Sequence, residues 1–292
     1  MKKNLILLAA LSLIAGMAFA EKEVKVKIEH EKFRTFYGDR ISITPKDSSV
    51  KITKDKIIFE PKEEGVEYTI FGYFNGQIVN KTKNTVLKLS KVYLENTSGE
   101  PVIYGEAKTE ISTAKDSKNF IVASGNADPR TKSKAKPAAI HCKKNLELGG
   151  SGNLYVVGNV YHAVKADDVK LKGTGEFYLQ GTKKGSAINC ENLIVEKDKR
   201  FKAYFVNSKN AIKADYTISI QSGTFYLWND ETAFKTDTKK DDGKKNHSIT
   251  ISGDNTMVFT TPNTNLYETD KNAYTVEGAI VSEQLLRYDR NL

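Results

Sequence analysis

Acidic side chains recur at one position of a repeated pattern in the middle of the chain. They are Asp167, Glu191, Asp215 and Asp237, and Asp168 lies beside the first of them. Calcium takes six to eight oxygen ligands, several of them from carboxylates. These acids, without Asp237, are therefore a candidate calcium site, and calcium is the cofactor that the sequence suggests.

Lysines precede two of these acids. Lys165 lies two positions before Asp167, and Lys213 lies two positions before Asp215. One interpretation is a ladder of surface ion pairs, each contributing little to stability. The alternative is that the lysines bind an anionic sugar, since they belong to a column that is expected to point outward. That column is His141, Lys165, Asn189, Lys213 and Lys235.

Aromatic residues form a third candidate site. Tyr155, Tyr178 and Tyr226 take the outward position of one strand in each repeat, with Lys202 expected between the last two, and Trp228 follows on the same face. Flat rings with polar rims suit sugar binding. Aromatic residues also favour strands and pair across them, so a purely structural role stays open.

The elements that position these residues follow from a repeat. Pairs of a small and a larger apolar residue recur at spacings of 24, 24, 24 and 22 residues. A fixed period in the twenties indicates a repeat architecture. The pairs are Ala139-Ile140, Ala163-Val164, Ala187-Ile188, Ala211-Ile212 and Ala233-Phe234.

Each repeat contains three short stretches of alternating polarity, which predicts three strands with one buried face each. The fold class is therefore all-β, a right-handed parallel β-helix with about 24 residues per coil. One inward column is Ile140, Val164, Ile188, Ile212 and Phe234. In the third strand, Phe177 and Leu179 are expected to align with Phe201 and Ala203.

The two cysteines belong to the next inward column. Cys142 and Cys190 lie two coils apart, which is about 9.6 Å in a parallel sheet. A disulfide needs Cα atoms within about 7 Å. We therefore predict two free, buried thiols.

The first 20 residues resemble a signal peptide, with Lys2 and Lys3 before an apolar run that ends in Ala18-Phe19-Ala20. This predicts export to the periplasm, the cell surface or the medium. Without these residues the formal charge falls from +9 to +7, which suits an anionic partner or a solvated surface of mixed sign. The expected division is capping strands at 21–60, the β-helix at 61–282 and a tail or cap at 283–292.

No catalytic motif stands out, since a nucleophile elbow, a P-loop and a zinc motif are all missing from the sequence. The leading hypothesis is therefore a non-catalytic, monomeric protein that binds a polysaccharide, and the outward lysines favour an acidic one. A polysaccharide lyase is an alternative, with Lys165 or Lys213 as base. Another is a structural or adhesive protein using the basic loops at 130–136 and 239–245. No nucleic-acid-binding module is recognised, and no later stretch predicts a membrane span.

The repeats also resemble a known family. The runs Ala138–Leu148, Ala163–Leu171 and Gly185–Val195, together with Gly99–Tyr104, are similar to bacterial exported proteins described as carbohydrate-binding domain-containing. The resemblance implies a calcium-containing parallel β-helix, similar to polysaccharide lyases, that binds cellulose and pectin without cleaving them. The family's acidic pair is kept only at Asp167-Asp168.

Overall fold

A computed structural model describes residues 29–125, 137–197, 200–237, 247–261, 264–270 and 273–282. The predicted signal peptide, both basic loops and the tail at 283–292 lie outside these ranges. Among the described residues, no helix has the length and apolar character needed to cross a membrane.

The described chain consists of one helix, α1, at residues 29–37, followed by strands. The strands are β1 (Ile41–Thr44), β2 (Val50–Ile52), β3 (Lys56–Phe59), β4 (Glu67–Asn75), β5 (Gln77–Asn80), β6 (Thr85–Asn96), β7 (Ile103–Gly105), β8 (Thr109–Thr113), β9 (Lys118–Ala123), β10 (Ala138–Cys142), β11 (Leu146–Gly150), β12 (Asn153–Gly158), β13 (His162–Lys165), β14 (Asp168–Leu171), β15 (Glu176–Gln180), β16 (Ser186–Val195), β17 (Lys202–Ile220), β18 (Gly223–Thr236), β19 (Ser248–Ser252), β20 (Thr256–Thr260), β21 (Asn265–Glu268), β22 (Tyr274–Glu277) and β23 (Ile280–Ser282).

These strands pair into three rows, and one passage of the chain through all three is called a coil here. Row A contains β3, β5, β7, β10, β13, the start of β16, the middle of β17, the end of β18 and β21. Row B contains the start of β4 and of β6, then β8, β11, β14, the end of β16 and of β17, β19 and β22. Row C contains the end of β4 and of β6, then β9, β12, β15, the start of β17 and of β18, β20 and β23.

All neighbours within a row are parallel, so the all-β class and the parallel pairing are confirmed. The predicted column holds residue by residue: Ile140 pairs with Val164, Val164 with Ile188, Ile188 with Ile212, and Ile212 with Phe234. All five side chains are completely buried, which places the core inside the rows. Alternate residues face outward because successive side chains of a strand point to opposite sides.

The predicted register is wrong in one coil of row C. Phe177 pairs with Ala203 where Phe201 was expected, and Leu179 pairs with Phe205 where Ala203 was expected. The error is two residues. A two-residue shift keeps every side chain on its own face of the sheet, so the hydrophobic pattern alone does not reveal it.

The N-terminal segment differs from the expected set of charged strands. Its described part contains α1, and β1 and β2 follow as antiparallel strands on β4 and β3. The strand β4 bends from row B to row C at Gly72. A Cβ there would lie 2.5 Å from the carbonyl oxygen of Arg40, and φ is +105°, so glycine is required at this bend.

Both cysteines lie in row A as free, buried thiols. Cys190 pairs with Ala214, as the inward column predicts. Burial raises the pKa of the Cys142 thiol to about 12. Each thiol therefore serves as a small apolar side chain of the core.

Candidate functional site

The outer face of row C carries an unbroken column of aromatic rings, which we call the ladder. Each member is the direct register partner of the next. In chain order the ladder consists of Tyr73, Tyr93, Phe120, Tyr155, Tyr178, Tyr204, Tyr226 and Phe259.

The sequence identified only part of this ladder. Tyr155, Tyr178 and Tyr226 are members as predicted, but Tyr204 lies between the last two where Lys202 was expected. Lys202 instead pairs with Glu176, and its Nζ lies 3.6 Å from the Glu176 Oε1. The two-residue register error is the cause.

The rings stack face to face along the ladder. The ring centroids of Tyr155 and Tyr178 are 4.4 Å apart, those of Tyr178 and Tyr204 are 4.5 Å apart, and the planes differ by 5° and 8°. Tyr204 and Tyr226 follow at 4.9 Å and 10°. This spacing is close to the distance between strands. Because neighbouring rings cover one another's faces, the ladder presents ring edges and hydroxyl groups outward, not the open faces that the sequence suggested.

The helix α1 covers one end of the ladder. Phe33 packs against Tyr93 and Phe120, each with ring centroids 6.1 Å away, and the ring of His30 lies 4.8 Å from that of Tyr93. We call Tyr73, Tyr93, Phe120 and Tyr155 the covered half, since each is at most 9% exposed.

The remaining members, Tyr178, Tyr204, Tyr226 and Phe259, are partly exposed and form the open half. Burial, and the hydrogen bond that Tyr178 donates to Glu176, raise the pKa of the Tyr178 phenol. Burial also raises the pKa of Tyr204. Both hydroxyls therefore stay protonated at neutral pH, and the proton of Tyr178 is donated to Glu176.

Trp228 extends the open half sideways. It pairs with Val206, packs beside Tyr204 and Tyr226, and its ring centroid lies 6.0 Å from that of Tyr226. With 9% exposure, Trp228 supports the tyrosines from the side and offers little free surface.

The predicted outward column of row A is present. His141 pairs with Lys165, Lys165 with Asn189, Asn189 with Lys213, and Lys213 with Lys235. Tyr104 precedes His141 in the column, an aromatic neighbour that sequence reasoning missed.

Acids neutralise only part of this column. Lys213 Nζ lies 2.8 Å from Asp237 Oδ2, and Lys235 Nζ lies 2.5 Å from Glu268 Oε1. Within the described parts of the chain, no carboxylate oxygen lies within 4 Å of Lys165 Nζ. Burial, followed by the positive charges of Lys165 and Lys143, lowers the pKa of His141 to about 4. The column therefore keeps a positive field around Lys165.

Two of the predicted calcium ligands have polar partners within the fold. Asp168 accepts a hydrogen bond of 2.7 Å from Asn192, and the Oδ2 of Asp167 lies 4.0 Å from Lys144 Nζ. Among the described residues, no three His, Cys, Asp or Glu side chains are grouped as a metal ion would require. Burial, followed by the charges of Asp215, Asp168 and Glu191, raises the pKa of the Cys190 thiol, so these three acids lie around that thiol. Calcium also takes carbonyl and amide oxygens, and calcium at these acids stays a prediction.

Comparisons with known proteins place the chain in a family. The family model described as "Carbohydrate-binding domain-containing protein" matches residues 46–203, which is more than half of the 292-residue chain. The chain therefore belongs to the carbohydrate-binding domain-containing family. No curated protein matches the sequence.

One solved structure is similar in fold. It is a gadolinium derivative of the polysaccharide lyase-like protein from C. thermocellum. The identity is 18%, the match covers 79% of this chain and 93% of that chain, and the TM-score is 0.52. At this identity, the similarity concerns the fold alone.

Proposed function

We propose that the protein is an exported, non-catalytic polysaccharide-binding protein and that the open half of the ladder is its main binding surface. The observation that carries the proposal is the regular strip formed by Tyr178, Tyr204 and Tyr226. Their rings repeat at 4.5 and 4.9 Å and are partly exposed. A straight strip with one phenol hydroxyl per coil matches the periodic hydroxyl groups of a linear glycan. Membership of the carbohydrate-binding domain-containing family supports the same function.

A second surface, the row A column, favours acidic glycans. Lys165 carries a positive charge that no described carboxylate neutralises, and Lys213 lies two coils away in the same column. Pectin-like chains carry regularly spaced carboxylates, which such a column attracts. The two surfaces lie on different rows, so a neutral and an acidic glycan would be recognised by different residues.

We also propose the finer description of the fold, in which the three rows wind as a right-handed parallel β-helix. The supporting observation is the pairing of residues 24 positions apart in three successive coils. Right-handed crossovers between parallel strands are the rule in proteins. An experimentally determined structure would show the handedness directly.

Affinity electrophoresis of residues 21–292 tests the binding proposal. Gels would contain polygalacturonate, a soluble cellulose derivative or a neutral glucan, each at low and raised salt. We expect one glycan to slow the wild-type protein at both salt concentrations, and Tyr204→Leu to abolish that effect. Tyr204→Phe, which keeps the ring stack and removes the hydroxyl, separates the two contributions.

Lysine variants assign the acidic surface in the same gels. Lys165→Ala is expected to weaken retention by polygalacturonate and to leave retention by the other glycans unchanged. Its matched control is Lys170→Ala in row B, where Lys170 is paired with Glu196. If every polyanion retains the protein at low salt and none does at raised salt, specific binding is rejected and the adhesive role is favoured.

Calcium remains a prediction, and an EDTA lane tests it. Among the described residues, no three acids are grouped closely enough to hold the ion by side chains alone, so we expect EDTA to leave retention unchanged. Loss of retention with EDTA, restored by calcium, would show that calcium takes part in binding.

A lyase on the same scaffold is the competing function. The observation that favours it is the fold similarity to a polysaccharide lyase-like protein. Lys213, one candidate base, already donates a hydrogen bond of 2.8 Å to Asp237 Oδ2. Incubation with polygalacturonate should yield no unsaturated uronate absorbance, and appearance of that absorbance would contradict the non-catalytic proposal.

Export is tested separately. Edman sequencing of the protein purified from outside the cytoplasm is expected to begin at Glu21.

A further inference from the structure

The covered half of the ladder has the same construction as the open half. The stack has no break where they meet, since Phe120 and Tyr155 are 4.7 Å apart with planes differing by 14°, and Tyr178 follows at 4.4 Å. Three of the four covered members carry a phenol hydroxyl, as in the open half. What distinguishes the halves is α1, which lies over one of them.

The attachment of α1 to the sheet depends on side chains. Among the described residues, no backbone hydrogen bond joins residues 29–37 to a strand. The polar contacts are long, with Lys118 Nζ 3.8 Å from Glu29 Oε1 and His30 Nε2 3.7 Å from Glu95 Oε2. Phe33, 8% exposed, is the deeply buried anchor.

The packing beside α1 is incomplete. An open cavity of about 1030 Å³ lies along the helix, with Phe36, Tyr37, Lys91 and Lys118 among its lining residues. Phe36 is 81% exposed, although it is on the same helix as Phe33. His30 and Tyr37 add ring contacts to Tyr93 and Phe71. A short helix held by a few side chains and bordered by an open cavity can detach at lower cost than one packed on all sides.

We propose that the covered half is a cryptic extension of the glycan-binding strip and that α1 is the cover that a long linear polysaccharide displaces. The proposal rests on the proposed function of the open half. Displacement would lengthen the strip from about 14 Å, the span from Tyr178 to Phe259, to about 34 Å, the span from Tyr73 to Phe259. Only a chain longer than the open half gains contacts from displacement. The apparent affinity for long chains would therefore be the affinity of the uncovered ladder multiplied by the fraction of molecules in which α1 is undocked.

The test compares Phe33→Ala with Phe36→Ala, the same substitution on the same helix at a position without ladder contact. Binding of a short and a long size fraction of the glycan that retains the wild type would be measured by calorimetry. Loss of the anchor is expected to strengthen binding of the long fraction on the order of tenfold, because more molecules have the whole ladder accessible. Binding of the short fraction should not change, and Phe36→Ala should resemble the wild type.

A second measurement uses the wild-type protein and does not depend on a variant. Trypsin can cleave after Lys32 and Arg34 in α1. The long fraction should accelerate this cleavage, and the short fraction should not. If the wild type binds glycan but neither the cleavage rate nor the Phe33→Ala affinity responds to length, α1 is a fixed structural element and the inference is overturned. If no fraction binds any form of the protein, the proposed function itself fails.

Discussion

The two halves of the ladder share one sequence pattern and differ in environment. In both halves an aromatic residue takes the same outward position of row C in each coil. Under α1 these rings form a small second core with Phe33, separate from the main core inside the rows. Beyond α1 the same column is a partly exposed surface.

The difference shows that a repeat position defines geometry but not role. Parallel pairing stacks the side chains of a column, and this alone brings the rings of Tyr178 and Tyr204 face to face. Whether such a stack stabilises the protein or binds a ligand depends on what lies over it. In this protein α1, a nine-residue helix outside the repeat, covers one half of the stack and leaves the other half partly exposed.

The largest expected effect is on the stability of the covered half. Phe120 is 1% exposed and lies between Tyr93, Tyr155 and Phe33. Phe120→Ala should lower the free energy of unfolding by about 3–5 kcal/mol, the usual range for a buried phenylalanine. Urea unfolding followed by circular dichroism measures this. A loss below about 1 kcal/mol would show that the covered half is not a core.

Much of the coil geometry was predictable from the sequence. The period of 24 residues fixed the column from Ile140 to Phe234, because only one alignment buries every small and apolar pair. The same register also predicted that Cys142 and Cys190 are free, buried thiols. The period also placed Tyr155, Tyr178 and Tyr226 on one face.

The period did not predict three features: the place of Tyr204 in the ladder, the helix α1 and the stacking of ring faces. Tyr204 was missed because a shift of two residues keeps the inside and outside of the strand and leaves the pattern intact. The helix α1 was missed because its nine residues give little more than two turns, with His30, Phe33 and Tyr37 as a short apolar stripe. The stacking of ring faces depends on side-chain orientation, which a column of letters does not contain. An aromatic residue at the same position of every coil is the signal that could have suggested it.

An intermediate effect is expected from detaching the helix. Phe33→Ala removes the anchor of α1 and should lower the free energy of unfolding by about 1.5–3 kcal/mol, the value of burying one such side chain. The loss should be smaller than for Phe120→Ala because α1 lies outside the rows. Hydrogen exchange in residues 29–37 should increase at the same time, while Phe36→Ala leaves it unchanged. A loss equal to that of Phe120→Ala would mean that helix and ladder unfold as one unit.

A smaller effect on stability is expected in the open half. Tyr204→Ala removes two stacking contacts on a partly exposed face. It should lower the free energy of unfolding by about 1 kcal/mol, since each pair on such a face contributes about 0.5 kcal/mol, the lower end of the usual range. The same variant should lose glycan retention. A stability loss as large as that of Phe120→Ala would remove the distinction between the halves and leave the open half as structure only.

The smallest effect should appear at alkaline pH, at the first tyrosine of the open half. Burial and the hydrogen bond to Glu176 raise the pKa of Tyr178 above its ordinary value of about 10 in the unfolded chain. A group whose pKa is raised by folding contributes stability that is fully present below the unfolded pKa and is lost as pH rises towards the folded value. Stability should therefore fall above about pH 10, and Tyr178→Phe should reduce that fall because phenylalanine cannot ionise. Urea midpoints at about pH 8 and about pH 11 measure the difference. An identical alkaline loss in both proteins would show that the phenol of Tyr178 is as solvated in the fold as in the unfolded chain, which would contradict its partial burial beside the covered half.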